Sequence, residues 1–251
     1  MKLLKITPVN LFLLLALCFL AGFISGVYTV PERLVAHEVT RYVPLNVTAE
    51  GHRVEMLIPA VDSAGNGVAG RLLTTVRPGT GLVLVSINDV LAQYDTQFSG
   101  RIAAKAAASY ANITLDEWDI VYTIDVNATA IEGPSAGAAM AVSIVAALQN
   151  RTLDPSVSIT GIINEDGTIT GAGSVLEKAK AIRKNGVSVF LVGPGQGSEP
   201  APVREKTCET RNAIEYCKVD YAQKKTSLGE RLDMTIAEVT NLEEAVGYFL
   251  D

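Results

Sequence analysis

Hydrophobic and polar positions alternate in short blocks along most of the chain, and these blocks predict strands separated by turns. We expect strands at residues 54–62, 71–76, 81–87, 120–126, 157–161, 168–171, 187–192 and 234–239. The turn at 164–167 (Asn-Glu-Asp-Gly) is typical of a hairpin, so 157–161 and 168–171 are predicted to pair with each other.

Longer apolar or amphipathic stretches between these blocks predict helices. Residues 99–110 are rich in alanine, which favours helix, and 242–250 form a closing helix. Residues 175–186 show an apolar face at helical spacing and end at Asn-Gly. The run after Pro134 is apolar almost all round, so its helix should be buried.

The N-terminal pattern differs from the rest. Residues 6–31 carry no charge, and the predicted transmembrane helix at 9–30 is long enough to cross a bilayer. The basic residues in the preceding segment, 1–8, place it in the cytoplasm by the positive-inside rule. We therefore expect a single-pass protein of the cell membrane, with a stalk at 31–51 and an extracytoplasmic domain at 52–251. A cleaved signal peptide is the alternative, although no convincing cleavage site follows the apolar run.

Composition excludes several classes of function. The net charge is −6 and 6% of residues are aromatic, without a basic patch, so nucleic-acid binding has no support. The chain has two histidines, His37 and His52, which with the cysteines make no zinc set, and we expect no metal or cofactor. No G-x-x-x-x-G-K-[ST] motif occurs, so a P-loop ATPase is not predicted.

A polar segment at about 196–228 interrupts the pattern before the last strand, and we interpret it as an insertion. It contains Cys208 and Cys217. In an oxidising compartment the two cysteines would form a disulfide, and two free thiols are the alternative.

Ser135 is the candidate nucleophile. It follows Gly133 and Pro134 at the start of the buried helix, where the helix dipole and free backbone N–H groups stabilise negative charge. A plain serine at a helix start is the alternative. The G-x-S-x-G pattern here does not fit an α/β-hydrolase, because both histidines precede the serine. A nucleophilic Ser135 would therefore need a lysine as its base.

Lys178 is the candidate base. The apolar face of the helix at 175–186 contains Val175, Ala179 and Ile182, and Lys178 borders that face. Partial burial would lower its pKa. A lysine that extends its amine to solvent is the alternative.

Four stretches together resemble the proteolytic domain of the Lon family of Ser-Lys endopeptidases. Residues 132–137 (Glu-Gly-Pro-Ser-Ala-Gly) resemble its nucleophile motif, and 171–178 resemble its Gly-Gly-x-x-Glu-Lys motif. Residues 158–161 with 166–169 resemble its strand–turn–strand carrying a threonine, and 95–103 resemble a helix start of archaeal-type members. The likeness covers about 52–195 and resumes near 232.

The resemblance implies the α/β (α+β) Lon proteolytic-domain fold, with mixed sheets and packed helices. It implies Ser135 as nucleophile and Lys178 as general base. Thr160 would help to place the lysine or an oxyanion, and Glu132 would be an acidic neighbour. The family's usual glycine pair before the lysine helix is Gly-Ser here, with Ser174 as the second residue. Many members carry histidines shortly before the serine, whereas the segment at 121–123 (Val-Tyr-Thr) has none, which favours the archaeal-type branch.

The function implied is an ATP-independent, membrane-anchored serine endopeptidase that hydrolyses unfolded or membrane-adjacent polypeptides. By resemblance it would form a homo-oligomer, a hexamer in the family, and residues 9–30 would contact the lipid bilayer. One alternative is an inactive tethered domain that binds peptides or a partner protein. Another is a small-molecule kinase of related fold, although the stiff proline and single serine at 134–135 differ from a Gly-Ser-Ser-Ala-like phosphate loop.

Overall fold

A computed structural model describes residues 51–88, 90–92, 94–127, 133–212 and 214–250. The predicted segments 1–8 and 9–30, and all of 31–51 except Gly51, lie outside the described residues and stay predictions. Within the described ranges, none of the helices combines the length and apolarity needed to cross a bilayer.

The larger sheet has five strands. They are β1 (His52–Val61), β2 (Gly67–Pro78), β3 (Val83–Ile87), β4 (Val90–Leu91) and β5 (Trp118–Val126). Their order is β1-β2-β5-β3-β4, and only the β3–β5 pair is parallel. Every second residue of β2 enters the core, where Leu72, Thr74 and Val76 are fully buried. That alternation is what a strand with one covered face requires.

Two helices cover that face. Helix α1 (Tyr94–Ala111) contributes small buried alanines, and α2 (Gly137–Leu148) packs against both α1 and the sheet. Eleven residues of α2, from Gly137 to Ala147, are buried. The helix after Pro134 is therefore central, as its all-round apolar sequence predicts.

The predicted pairing of 157–161 with 168–171 is wrong. The first segment gives β6 (Val157–Ile159), whose three residues are all buried, and it belongs to a different sheet. The hairpin is the shorter pair β7 (Ile162–Ile163) and β8 (Ile169–Thr170). A strand buried on both faces suits a parallel sheet, and β6 indeed pairs in parallel with β9 (Val189–Val192).

Helix α3 (Val175–Arg183) lies between β8 and β9 and ends three residues before the predicted stop. Ala179 and Ile182 on its inner face join Val187, Phe190 and Val192 in a small separate core. This core fixes the helix that carries Lys178.

The segment interpreted as an insertion is a long antiparallel ribbon. It consists of β10 (Ser198–Arg211) and β11 (Ile214–Ser227), and a disulfide joins Cys208 to the directly opposite Cys217. The sequence pattern did not predict these strands, because most of the ribbon's residues are exposed on both faces and no apolar alternation marks them.

The chain closes with α4 (Leu228–Leu232), β12 (Thr235–Glu238) and α5 (Leu242–Leu250). Strand β12 pairs in parallel with β9, which gives a second sheet of order β12-β9-β6. Helix α5 packs on α2 and matches the predicted bounds 242–250.

Gly67→Ala tests how closely the start of β2 approaches α3. A Cβ at Gly67 would overlap the carbonyl oxygen of Glu177, the residue before Lys178. Because backbone must move to relieve such an overlap, we expect a loss of about 1–3 kcal/mol in the free energy of unfolding, measured by urea denaturation. Arg71→Ala, at an exposed position of the same strand, is the control. Equal stability of the two variants would show that α3 shifts without cost.

Candidate active site

Ser135 lies in a short 3₁₀ turn, Pro134–Ala136, directly before α2. Pro134 occupies the first helical position, where its missing N–H costs nothing. Gly133 enters the turn at φ 100°, a backbone conformation that residues with a side chain rarely adopt. The Gly-Pro pair thus sets the sharp entry that leaves the Ser135 side chain half-buried at the helix start.

Lys178 meets Ser135 through a direct hydrogen bond. Its Nζ lies 2.8 Å from Ser135 Oγ and 3.2 Å from Thr160 Oγ1. Lys178 is only 4% exposed. It is therefore more deeply buried than its predicted position at the border of the apolar helix face suggests. No acidic partner of the Lys178 amine lies among the described residues.

Burial changes the protonation of this amine. It lowers the pKa of Lys178 from 10.5 to about 8, because the charged form loses its water. At pH 7 the Lys178 amine is then neutral in about one molecule in ten, whereas at the ordinary pKa it would be neutral in about one in three thousand. A neutral amine within hydrogen-bond distance of a hydroxyl is able to accept its proton.

Thr160 connects the two residues. Its hydroxyl donates to the Ser135 carbonyl at 3.2 Å and accepts from Lys178, and the residue is 1% exposed. The same carbonyl accepts the Gly161 N–H at 3.0 Å. The backbone of the serine and the amine of the lysine are therefore held by one hydroxyl.

Helix α1 holds the other side of the serine turn. Asp95 Oδ2 accepts the Gly133 N–H at 3.1 Å, and Ser99 Oγ donates to the Pro134 carbonyl at 3.2 Å. The sequence motif at 95–103 includes both residues, but nothing in the pattern predicted these contacts.

A glutamine from the base of the ribbon fixes the loop before α3. Gln196 Oε1 accepts the Ala172 N–H at 2.8 Å, and its Nε2 donates to the Ala172 carbonyl at 2.6 Å. Glu238 in turn accepts the N–H groups of Gly195 and Gly197 at 2.7 and 2.8 Å. The sequence pattern does not predict this role of Gln196, since no local signal distinguishes one glutamine in a polar segment.

A cavity of about 270 Å³ opens beside the serine and the lysine. Apolar side chains form much of its wall: Ile58, Val61, Ile87, Ile124, Val126 and Ile162. Thr96 and Ser174 are polar residues of the same wall. The arrangement places a hydroxyl group and an amine that is partly neutral at pH 7 at the side of an apolar cleft.

Other predicted residues lie elsewhere. Glu132 falls outside the described residues, so its predicted role stays a prediction. His52 is exposed at the start of β1, with Nδ1 3.0 Å from Asn150 Oδ1. Cys208, Cys217 and Glu215 form a cluster of potential metal ligands, but the disulfide engages both sulfurs.

Comparison with known proteins gives the family. Residues 75–223 match the model of the Lon protease (S16) C-terminal proteolytic domain, which is more than half of the chain. The chain belongs to this family. The mixed sheets and packed helices fit that domain, as the sequence resemblance implies.

Individual relatives agree with this family match. Lon protease 1 of Sorangium cellulosum is 27% identical over 150 residues, 57% of this chain and 18% of the relative. A Lon protease of Rhizobium meliloti is 27% identical over 176 residues, 68% of this chain and 22% of the relative. Lon protease homolog 2, peroxisomal, of Eremothecium gossypii is 32% identical over 83 residues, 33% of this chain and 8% of the relative. The matches thus span about a fifth of these proteins or less.

Lys178→Met tests the buried amine through stability. Between pH 8 and 10.5 the unfolded state binds more protons at Lys178 than the folded state, so stability rises with pH in that window. The wild type should gain about 3 kcal/mol across it relative to Lys178→Met. Urea unfolding at pH 7.5 and pH 10.5 measures the difference.

Lys180→Met is the matched control, because Lys180 lies on the same helix with a half-exposed side chain that forms an ion pair with Glu177. The free energy of unfolding of this variant should change between the two pH values by the same amount as that of the wild type. If Lys178→Met showed the wild-type dependence on pH, the amine would not be desolvated in the folded protein.

Proposed function

We propose that this protein is a serine endopeptidase in which Ser135 is the nucleophile and Lys178 the general base. The observation that carries the proposal is the 2.8 Å hydrogen bond between a buried lysine amine and the serine hydroxyl, beside a cavity. Membership of the Lon proteolytic-domain family supports it independently.

In the first half of the reaction, neutral Lys178 takes the Ser135 hydroxyl proton while Oγ attacks the scissile carbonyl carbon. Backbone N–H groups near Ser135 stabilise the oxyanion. The ammonium then gives its proton to the leaving amine nitrogen, the C–N bond breaks and an acyl-enzyme remains.

In the second half, Lys178 removes a proton from water, and the hydroxide attacks the acyl carbon. Collapse of this intermediate releases a carboxylic acid and returns the proton to Ser135 Oγ. Thr160 keeps the amine aimed at Oγ in both halves, supported by its contacts to Lys178 and the Ser135 carbonyl.

We propose polypeptides as substrates, bound in extended form along the apolar cavity. Unfolded or membrane-adjacent chains suit a cleft of about 270 Å³ that admits a segment of chain and not a folded domain. The archaeal-type branch of the family and a homo-oligomeric, hexameric assembly are further proposals from the sequence resemblance.

Location and energy source are also proposals. The uncharged run at 6–31 supports an anchor in the cell membrane at 9–30, with the proteolytic domain outside the cytoplasm. The 251 residues contain no P-loop motif, which supports cleavage without ATP by this unit.

Ser135→Ala and Lys178→Ala test the dyad. The full chain in detergent micelles is incubated with an unfolded protein without ATP, and released peptides are counted. Either substitution should lower cleavage by at least about a thousandfold, because two members of one catalytic unit fail together.

Ser188→Ala and Lys180→Ala, at surface positions away from the cavity, should keep wild-type activity. Full cleavage by Ser135→Ala would contradict the proposal. A folded but inactive wild type would favour the alternative of a tethered domain that only binds peptides.

The pH profile of wild-type cleavage tests the base. Since Lys178 must be neutral and its pKa is about 8, kcat/KM should rise with pH and level off above about 8. The rate at pH 7 should be about a tenth of the plateau. A profile that stays flat from pH 6 to 9 would exclude Lys178 as the base.

A further inference from the structure

Ser174 adopts an unusual backbone conformation next to the catalytic lysine helix. It precedes α3 at φ 56° and ψ 41°, in the left-handed region. A residue with a Cβ is disfavoured there, whereas glycine enters it freely. The motif that this stretch resembles has glycine at the corresponding position, so the serine replaces the easier residue.

The surrounding structure enforces this conformation from both sides. Gln196 binds both backbone groups of Ala172, two residues earlier. The Ser174 carbonyl accepts the Lys178 N–H at 3.1 Å and starts the helix. Strain of this kind persists only where neighbouring contacts fix the backbone, and it concentrates at functional sites.

The hydroxyl of Ser174 has no structural task among the described residues. It does not cap α3, and it makes no hydrogen bond to any residue in the described ranges. Ser174 is exposed, and it lines the same cavity as Ser135 and Lys178. The neighbouring Gly173 has open space where a Cβ would lie, so the wall leaves room for a ligand.

We propose that Ser174 is a substrate-binding residue, whose hydroxyl hydrogen-bonds the backbone of the polypeptide lying in the cavity. This inference rests on the proposed function and deepens it. It assigns one wall of the peptide site to the loop before α3. The contact is made before and during the reaction, so its loss raises KM and leaves kcat near the wild-type value.

Two substitutions separate the hydroxyl from the backbone. Ser174→Ala removes the hydroxyl and keeps the Cβ. Ser174→Gly removes both and relieves the left-handed strain, so it should fold with a higher melting temperature than the wild type. Both variants therefore lack the hydroxyl, but they differ in stability.

Binding is measured without catalysis. Each substitution is placed in full chain carrying Ser135→Ala, and fluorescein-labelled casein is titrated by fluorescence anisotropy. Loss of one hydrogen bond between neutral groups should weaken binding by about 2- to 10-fold in both variants. Cleavage by the single variants should show the same factor in KM.

The outcomes distinguish the two proposals. Similar weakening by Ser174→Ala and Ser174→Gly supports the contact. Unchanged affinity in both variants, or weakening by Ser174→Gly alone, overturns it and leaves the dyad standing if the wild type cleaves. Absence of casein binding by Ser135→Ala overturns the inference too, and absence of wild-type cleavage would count against the proposed function.

Discussion

The removal of one amine from water is the constraint on which the rest of the site depends. In the proposed mechanism Lys178 must be neutral to act as the base, and its burial disfavours the charged form. The protein therefore surrounds the lysine helix with fixed neighbours. The small core beneath α3 and the close approach of β2 at Gly67 fix the helix, and the hydroxyl of Thr160 contacts the amine itself.

The serine is held by a different means, through its backbone. Donors from Thr160 and Gly161 fix the Ser135 carbonyl, and α1 fixes the two preceding residues through Asp95 and Ser99. The side chain is left to interact with Lys178. Such positioning before substrate arrives is a large part of what a catalytic site contributes, because little reorganisation remains for the reaction itself.

Much of this arrangement could be read from the sequence, and the limits have physical reasons. Ser135 and Lys178 became candidates because a helix start and a helical face are local patterns, and the resemblance to the Lon motifs paired them. Strand β6 was paired wrongly, since a short buried strand carries no information about its partner. The ribbon was missed because both of its faces are solvated, and Gln196 because its contact with Ala172 joins distant parts of the chain.

The ribbon leaves and rejoins the domain at a single place, where Ser198 pairs with Ser227. Neighbouring strands lie about 5 Å apart, a gap that a tight turn closes. Evolution can therefore lengthen, exchange or delete the arm beyond these two serines as one module, while Gln196 stays with the body of the domain. The candidate active site and the outer arm are free to diversify at different rates within one gene.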